Sequence, residues 1–384
     1  MTASPDSSAS HAATRWAARN QFFCSGFIFA TWGVHIPTVK AHYGLDEATL
    51  GLAMLAAGFG ALFGLTRASR WIARFGAGPC ARLTGAIYAL LLAGLLLMPG
   101  YVGLLVLLAV FGMVTSVFDV AINTEAAQIE LLSGQPLMSG MHGMFSLGGM
   151  VGAVSGSAVI AAGVTANWHL LAVALLLASA IAGAGHWMLQ ARHTQSAPHQ
   201  ESFRLPRGAL VVLGVLAALG LIAEGAMYDW SVLYLQQELG SPQEQAALAY
   251  ASFSAAMAAA RFGGDALRAR FEPAVLVRGS GLLAAAAMTL VLLTDSPWIA
   301  LLGCAGVGIG FANVVPVLFA AAARVPGIEP ARGISAVSAA AYLGFMAGPP
   351  LIGLIARVSS LTFALGVVVL FALALAASAK YARG

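Results

Sequence analysis

The sequence predicts an all-α membrane protein of twelve transmembrane helices, built as two parallel six-helix repeats. Three observations carry that prediction: charge is scarce, apolar runs of bilayer-crossing length follow one another, and the two halves of the chain resemble each other. Only 9% of the 384 residues are charged and 60% are hydrophobic, against about 25% charged in a soluble domain. The net charge of +4 sits in short loops between apolar runs, a pattern of membrane topology and not of nucleic-acid binding. Cys24, Cys80 and Cys304 lie in or beside apolar runs and offer neither a disulfide framework nor a metal-binding spacing.

Residues 1–17 read as a disordered tail, Ser/Ala-rich and without the basic and apolar regions of a cleaved leader. Apolar runs then span approximately 18–40, 48–66, 80–98, 101–126, 138–163 and 168–189, the first bundle over 18–190. A polar stretch over 191–207 forms a cytoplasmic linker. Further runs at about 208–236, 244–263, 274–293, 298–323, 333–357 and 360–380 form the second bundle over 208–384. Each run is close to the roughly 20 residues that cross a bilayer core. With the amino terminus inside, the inner segments hold all of the 19 Lys and Arg residues except Lys40 and Arg357. Basic residues collect on the cytoplasmic side, so both termini are expected there.

The halves match at an offset of about 196 residues. Trp32 and Gly44 face Trp230 and Gly240, Gly112…Asp119 repeats as Gly306…Asn313, and Gly148…Gly152 repeats as Gly344…Gly348. Arg-rich stretches follow at 67–76 and 261–271. With these features the chain resembles the major facilitator superfamily over nearly its whole length. The family's loop motif after span 2, Gly-x-x-x-Asp-Arg/Lys-x-Gly-Arg-Arg/Lys, is reduced here to Arg74, Gly76 and Gly78, with Ser69 and Ala73 at the Gly and Asp places. Its second copy is fuller: Arg261, Gly264, Asp265 and Arg270. The resemblance implies that both loops couple to gating. FDVAINTE at 118–125 is similar to the span 4 motif LETAANPF of the fucose-permease branch, and MHGMFSLGGMVG at 141–152 is similar to its span 5. That likeness implies a bacterial inner-membrane symporter of a sugar and protons, with Asp119 on the proton-coupling carboxylate and Asn123 on the Asn that follows. Thr124 stands where the branch has Pro, and span 1 lacks its second carboxylate.

The residues alone point to the same places. An ionisable group in hydrocarbon costs roughly 2.5–3.5 kcal/mol on insertion scales, so it stays only where it faces protein or a wet cavity. Asp119, Glu224 and Asp229 are such groups; Asp119 and Asn123 share a helix face, as do Glu224 and Tyr228. Asp119, His142 and Glu224 are therefore the proton-coupling candidates. Asn20, Trp32, Asn123, Tyr228 and Asn313 are the candidate substrate contacts. Asp229 and Trp230 are expected near the outer interface, where Trp is enriched, and Glu125 as a headgroup-level or loop-binding charge. Gly148, Gly152, Gly156, Gly344, Gly348 and Gly353 lie at spacings that let helix backbones approach.

No nucleotide-binding, haem, zinc or nucleophile-elbow motif is present, so no enzyme, cofactor or metal site is expected. The expected partners are a small-molecule substrate, protons and the lipid bilayer, around a monomer. Two other functions fit the same span pattern: export of a metabolite or drug by proton antiport, and sensing without transport. Span 4 lacks the Arg, and span 5 the Gly-Pro pair, of the drug antiporters that the fold resembles.

Overall fold

The computed structural model describes residues 5–134, 137–189, 207–208 and 210–383, and no strand occurs among them. In the first half the helices are α1 (Pro5–Tyr43), α2 (Glu47–Phe75), α3 (Ala77–Leu91), α4 (Gly100–Ser133), α5 (Met138–Ala161) and α6 (Ala166–Ala184). The second half holds α7 (Leu210–Gln237), α8 (Gln243–Phe262), the short α9 (Gly264–Arg270), α10 (Pro273–Leu293), α11 (Pro297–Phe311), α12 (Val314–Ala322), α13 (Pro330–Val358) and α14 (Leu361–Ala377). Among the described residues, ten helical segments are long and apolar enough to cross a membrane. The other two expected spans are α14, with 17 residues, and α8, whose first turn reads Gln-Glu-Gln.

Local chemistry sets the ends. Pro273, Pro297 and Pro330 open α10, α11 and α13, where a missing N–H costs nothing. The φ of +92° at Gly76, between α2 and α3, is a conformation that a Cβ would oppose. Expected span 10 is broken at Ala312–Asn313 into α11 and α12, because Pro316 has no N–H to continue the ladder and fits only a first turn. The expected tail over 1–17 is instead helical from Pro5. Ala and Arg favour helix there, and Thr14, Ala17 and Ala18 are buried. The linker over 191–207 lies outside the described residues apart from Arg207.

The chain forms two compact units, residues 1–35 with 56–200 and residues 36–55 with 201–384. In the first unit, α1 meets α5 backbone to backbone: a Cβ on Gly26 would strike the carbonyl of Phe145, and one on Gly148 the carbonyl of Phe23. α2 meets α4 the same way, Gly60 against Ala109 and Gly112 against Ala57. An aromatic cluster fills the space beside them, with Tyr88 and Phe111 ring centroids 4.7 Å apart. In the second unit, α13 packs on α7 through Gly344 against Ala218, and α11 packs on α8 through Gly308 against Phe253. The pairs Gly112–Ala57 and Gly308–Phe253 are each displaced by 196 residues (308 − 112 and 253 − 57). The packing therefore sets Gly308, and not Gly306, opposite Gly112.

At one end of the second unit the α1–α2 turn is fastened by charge. Lys40 Nζ lies 3.0 Å from Glu47, and Arg357 Nε lies 3.4 Å from Asp46. Gln243 donates to the Thr38 hydroxyl at 2.8 Å. Lys40 and Arg357 are the two basic residues that the charge pattern sets apart from the rest, and each has a carboxylate. Asp46 also caps α2, accepting the Thr49 N–H and hydroxyl at 2.7 Å each. Those bonds, with Arg357 and Lys40 adding attraction, hold its carboxyl below the usual range.

Two predictions follow from this packing and charge. Gly148→Ala forces the Phe23 carbonyl away and should destabilise the protein by roughly 1–3 kcal/mol. Gly366→Ala, in open space on α14, should be neutral or stabilise by up to about 1 kcal/mol. Thermal unfolding in detergent checks both. Because the folded-state pKa of Asp46 is depressed, its contribution is present above the unfolded value of about 3.9 and is lost as pH falls through the folded value. Asp46→Asn should remove that acid-side slope from the unfolding midpoint.

Candidate functional site

α4 carries a polar stripe through an apolar span. Thr115, Asp119 and Asn123, each half-buried, repeat every four residues, while Phe118, Ala121 and Ile122 on the other side are fully buried. Asn123 Nδ2 donates to the Asp119 backbone carbonyl at 2.9 Å and to its Oδ1 at 3.1 Å. The amide thus orients the carboxyl from one turn below. The Thr115 hydroxyl donates back to the Phe111 carbonyl at 2.6 Å. Thr115 could have been found from the same spacing that finds Asn123. His142 lies in the second turn of α5 with an exposed side chain, its ring edge-on to Phe22 at 5.5 Å.

The second unit holds a different arrangement. Glu224 of α7 is buried, and its Oε1 meets Arg261 Nη2 at 3.0 Å. Arg261, expected in a gating loop, is in the last turn of α8 and is only 17% exposed. Tyr228, one turn beyond Glu224, is buried with its hydroxyl 3.4 Å from Met257 Sδ and its ring 5.1 Å from Tyr250. This face of α7 is thus turned to α8. Asp229 and Trp230 are not at an interface with lipid: both are buried, Trp230 completely. The whole stretch 223–235 of α7 is buried, because helices pack around this part of it on every side.

Several other candidates hold helices together. Asn20 donates to the Ala180 carbonyl of α6 at 3.3 Å. Trp32 is buried in the aromatic cluster, 6.5 Å from Phe111. Asn313 sits at the break between α11 and α12, and its side chain occupies the place a Cβ on Gly264 would need. Gly76 makes the turn into α3, Arg74 is exposed over the Phe75 ring, and Arg270 ends α9, exposed. Asp265 is in α9, and its side chain is outside the described set.

Two buried groups escaped the sequence. His35 Nε2 lies 2.8 Å from His169 Nδ1, joining α1 to α6; no spacing signals a pair 134 residues apart. Glu125 is fully buried and, as a loop-binding charge would, accepts the N–H of Leu189 in the chain after α6. Its signal was available: it shares a helix face with Phe118, Ile122 and Ile129. Among the described residues no group of His, Cys, Asp and Glu could hold a metal ion.

Removing one member of the Glu224–Arg261 pair leaves a buried, uncompensated charge. Arg261→Met should destabilise by roughly 3–5 kcal/mol, and the double variant with Glu224→Leu should recover most of that loss. A double-mutant cycle of chemical unfolding measures it; equal losses in the single and double variants would refute the coupling.

The chain is similar to known proteins along its length. A model of the Major Facilitator Superfamily matches residues 21–328. An uncharacterized MFS-type transporter of Yersinia pestis is 34% identical over 365 residues, covering 95% of this chain and 94% of that one. Among solved structures, a D-xylose-proton symporter superposes with a TM-score of 0.74 at 13% identity, covering 94% of this chain and 96% of that one. A nucleoside transporter gives 0.70 at 14%, with 97% and 98% covered. The E. coli fucose:proton symporter gives 0.63 at 15%, with 98% and 100% covered. At such identities these structures share the fold alone. By the family match over most of its length, this chain is a multi-pass membrane transporter of the Major Facilitator Superfamily.

Proposed function

We propose that the protein is a proton-coupled symporter of a small polar solute, with a sugar the first class to test. The observation that carries this is the Asp119–Asn123 pair: a carboxyl deep in an apolar span, half-buried, oriented by a neutral amide at 3.1 Å. Glu224, the other strong candidate, is committed to Arg261, so the proton role rests on Asp119, with His142 one helix away on α5 as its partner. The sugar class is supported by the likeness of 118–125 to the fucose-permease motif and by the sugar symporters among the structural neighbours.

Within this proposal Asn123 and Asn313 supply polar substrate contacts. Asn20, Trp32 and Tyr228 act through packing, since each is engaged within its own unit. The two six-helix halves alternate access, with Arg74, Gly76, Arg261, Gly264, Asp265 and Arg270 at their gating ends. The protein works as a monomer in a bacterial inner membrane with both termini in the cytoplasm; the distribution of Lys and Arg supports that orientation.

The test is proton movement in proteoliposomes with a trapped pH dye, challenged with sugars and polyols. Solute-driven proton uptake is expected for the wild type. Asp119→Asn should abolish accumulation driven by a proton gradient while sparing solute exchange. Undiminished accumulation in Asp119→Asn would overturn the role of Asp119. Silence across the panel from folded protein would overturn the solute class.

A further inference from the structure

Among the described residues of the first unit, Glu125 is the acidic side chain with no exposed surface. It lies on the face of α4 shared with Ile122 and Ile129, both buried. Asp119 is six residues back and on another face. Glu125 Oε1 accepts the N–H of Leu189, just after α6, at 2.5 Å. Its Oε2 is buried and has no partner.

Cations on the neighbouring elements are engaged elsewhere. Arg19 of α1 lies over the Trp16 ring at 5.1 Å, and Arg82 of α3 faces His186, beyond α6, at 3.4 Å. Arg15 of α1 lines a cavity at the inner end of the unit. On α4 itself, Glu130 accepts the N–H groups of Leu137 and Met138.

An ionised carboxylate has acceptors only. With one N–H donor and no ion pair to a cation among the described residues, it would be a buried charge without compensation. The neutral acid differs by one atom, and that atom is a donor. The same unit holds a second buried acceptor that lacks one: Gln21 of α1 gives its amide N–H to the Ile181 carbonyl at 3.2 Å, and its Oε1 has no partner. The unpartnered Oε2 is the place for that one proton. Residues next to Glu125 line a cavity at the inner end. A cavity of about 350 Å³ is lined by Thr14, Arg15, Ile129, Ser133 and Leu189. Ile129 is one turn beyond Glu125 on its face, and Leu189 lines the cavity while bonding Glu125.

We propose that Glu125 is a proton-binding site of the first unit, separate from Asp119, and that its neutral acid fastens the inner end of α4 to the chain leaving α6. The proton sits on Oε2 and the Leu189 N–H on Oε1. This site stands whether or not transport is coupled to protons. Infrared difference spectroscopy tests it, on the full-length protein in lipid with its Glu carboxyls labelled with carbon-13, so that Asp bands fall elsewhere. A labelled protonated-carboxyl band is expected at neutral pH in the wild type and in Asp119→Asn, and is expected to vanish in Glu125→Gln. Absence of the band in the wild type, or its survival in folded Glu125→Gln, would overturn the proposal. Where Glu125→Gln does not fold, Glu125→Asp decides, because it leaves no labelled carboxyl at this place: loss of the labelled band supports the site, and its survival refutes it.

Discussion

Helix backbones in this protein touch, and much else depends on that contact. Lipid tails are as apolar as leucine, so burying apolar side chains gives little drive for one membrane helix to join another. Close packing has to supply it, and close packing needs positions without a side chain. Gly26, Gly60, Gly112 and Gly148 provide these in the first unit, and Gly308, Gly333 and Gly344 in the second, each facing a main-chain or Cβ atom of a neighbour. The contact has a consequence for polar groups. Once α1 and α5 or α7 and α13 meet this closely, a polar atom between helices is sealed from lipid and water and must find a partner in the protein. Asn20, Gln21 and Tyr234 do so by bonding main-chain carbonyls on other helices.

The buried acids meet that demand in three ways, with different chemical consequences. Glu224 takes a cation, Arg261, which ties α7 to α8 and fixes a charge pair in the second unit. Asp119 accepts from a neutral amide on its own helix, which orients it. Glu125 takes one main-chain N–H and leaves an oxygen empty. A group that must cycle between charged and neutral states is poorly served by a permanent counter-charge, since each protonation would strand the partner. By that criterion Glu224 is a structural ion-pair member, whereas Glu125 and, in the second unit, the buried Asp229 have no salt bridge among the described residues.

Most of the fold was legible in the sequence, because span length, charge scarcity and glycine spacing are local properties. The repeat was legible too, though its register at Gly306 was misplaced by two residues. A seven-residue step to a polar side chain chose Gly306, while the contact with Phe253 chooses Gly308. The site was legible only where its members share a helix. Asp119 and Asn123 are one turn apart, so periodicity finds them. The Glu224–Arg261 and His35–His169 pairs join residues 37 and 134 positions apart. Their meeting depends on helix rotation, which a single sequence does not encode in any short spacing.

Tryptophan illustrates why residue type alone misled at α7. Exposed Trp16 and Trp187 sit at the start of α1 and just after α6, and Trp168 is in the first turn of α6, exposed. Those positions suit a ring that is apolar in body and polar at one edge, at the two faces of a bilayer. Trp230 has the same chemistry and the opposite environment: it is fully buried, its indole nitrogen has no partner, and its ring edge lies beside Gly353. The difference is in the neighbours. Around Trp230 the flanking residues of α7 are buried on all sides, as expected of a helix at the centre of its unit. Around Trp168 the next turn of α6 shows exposed Leu171, Leu175 and Leu176 to lipid. Both helices are largely apolar in sequence; what separates the middle of a bundle from its rim is burial, complete around Trp230 and one-sided around Trp168.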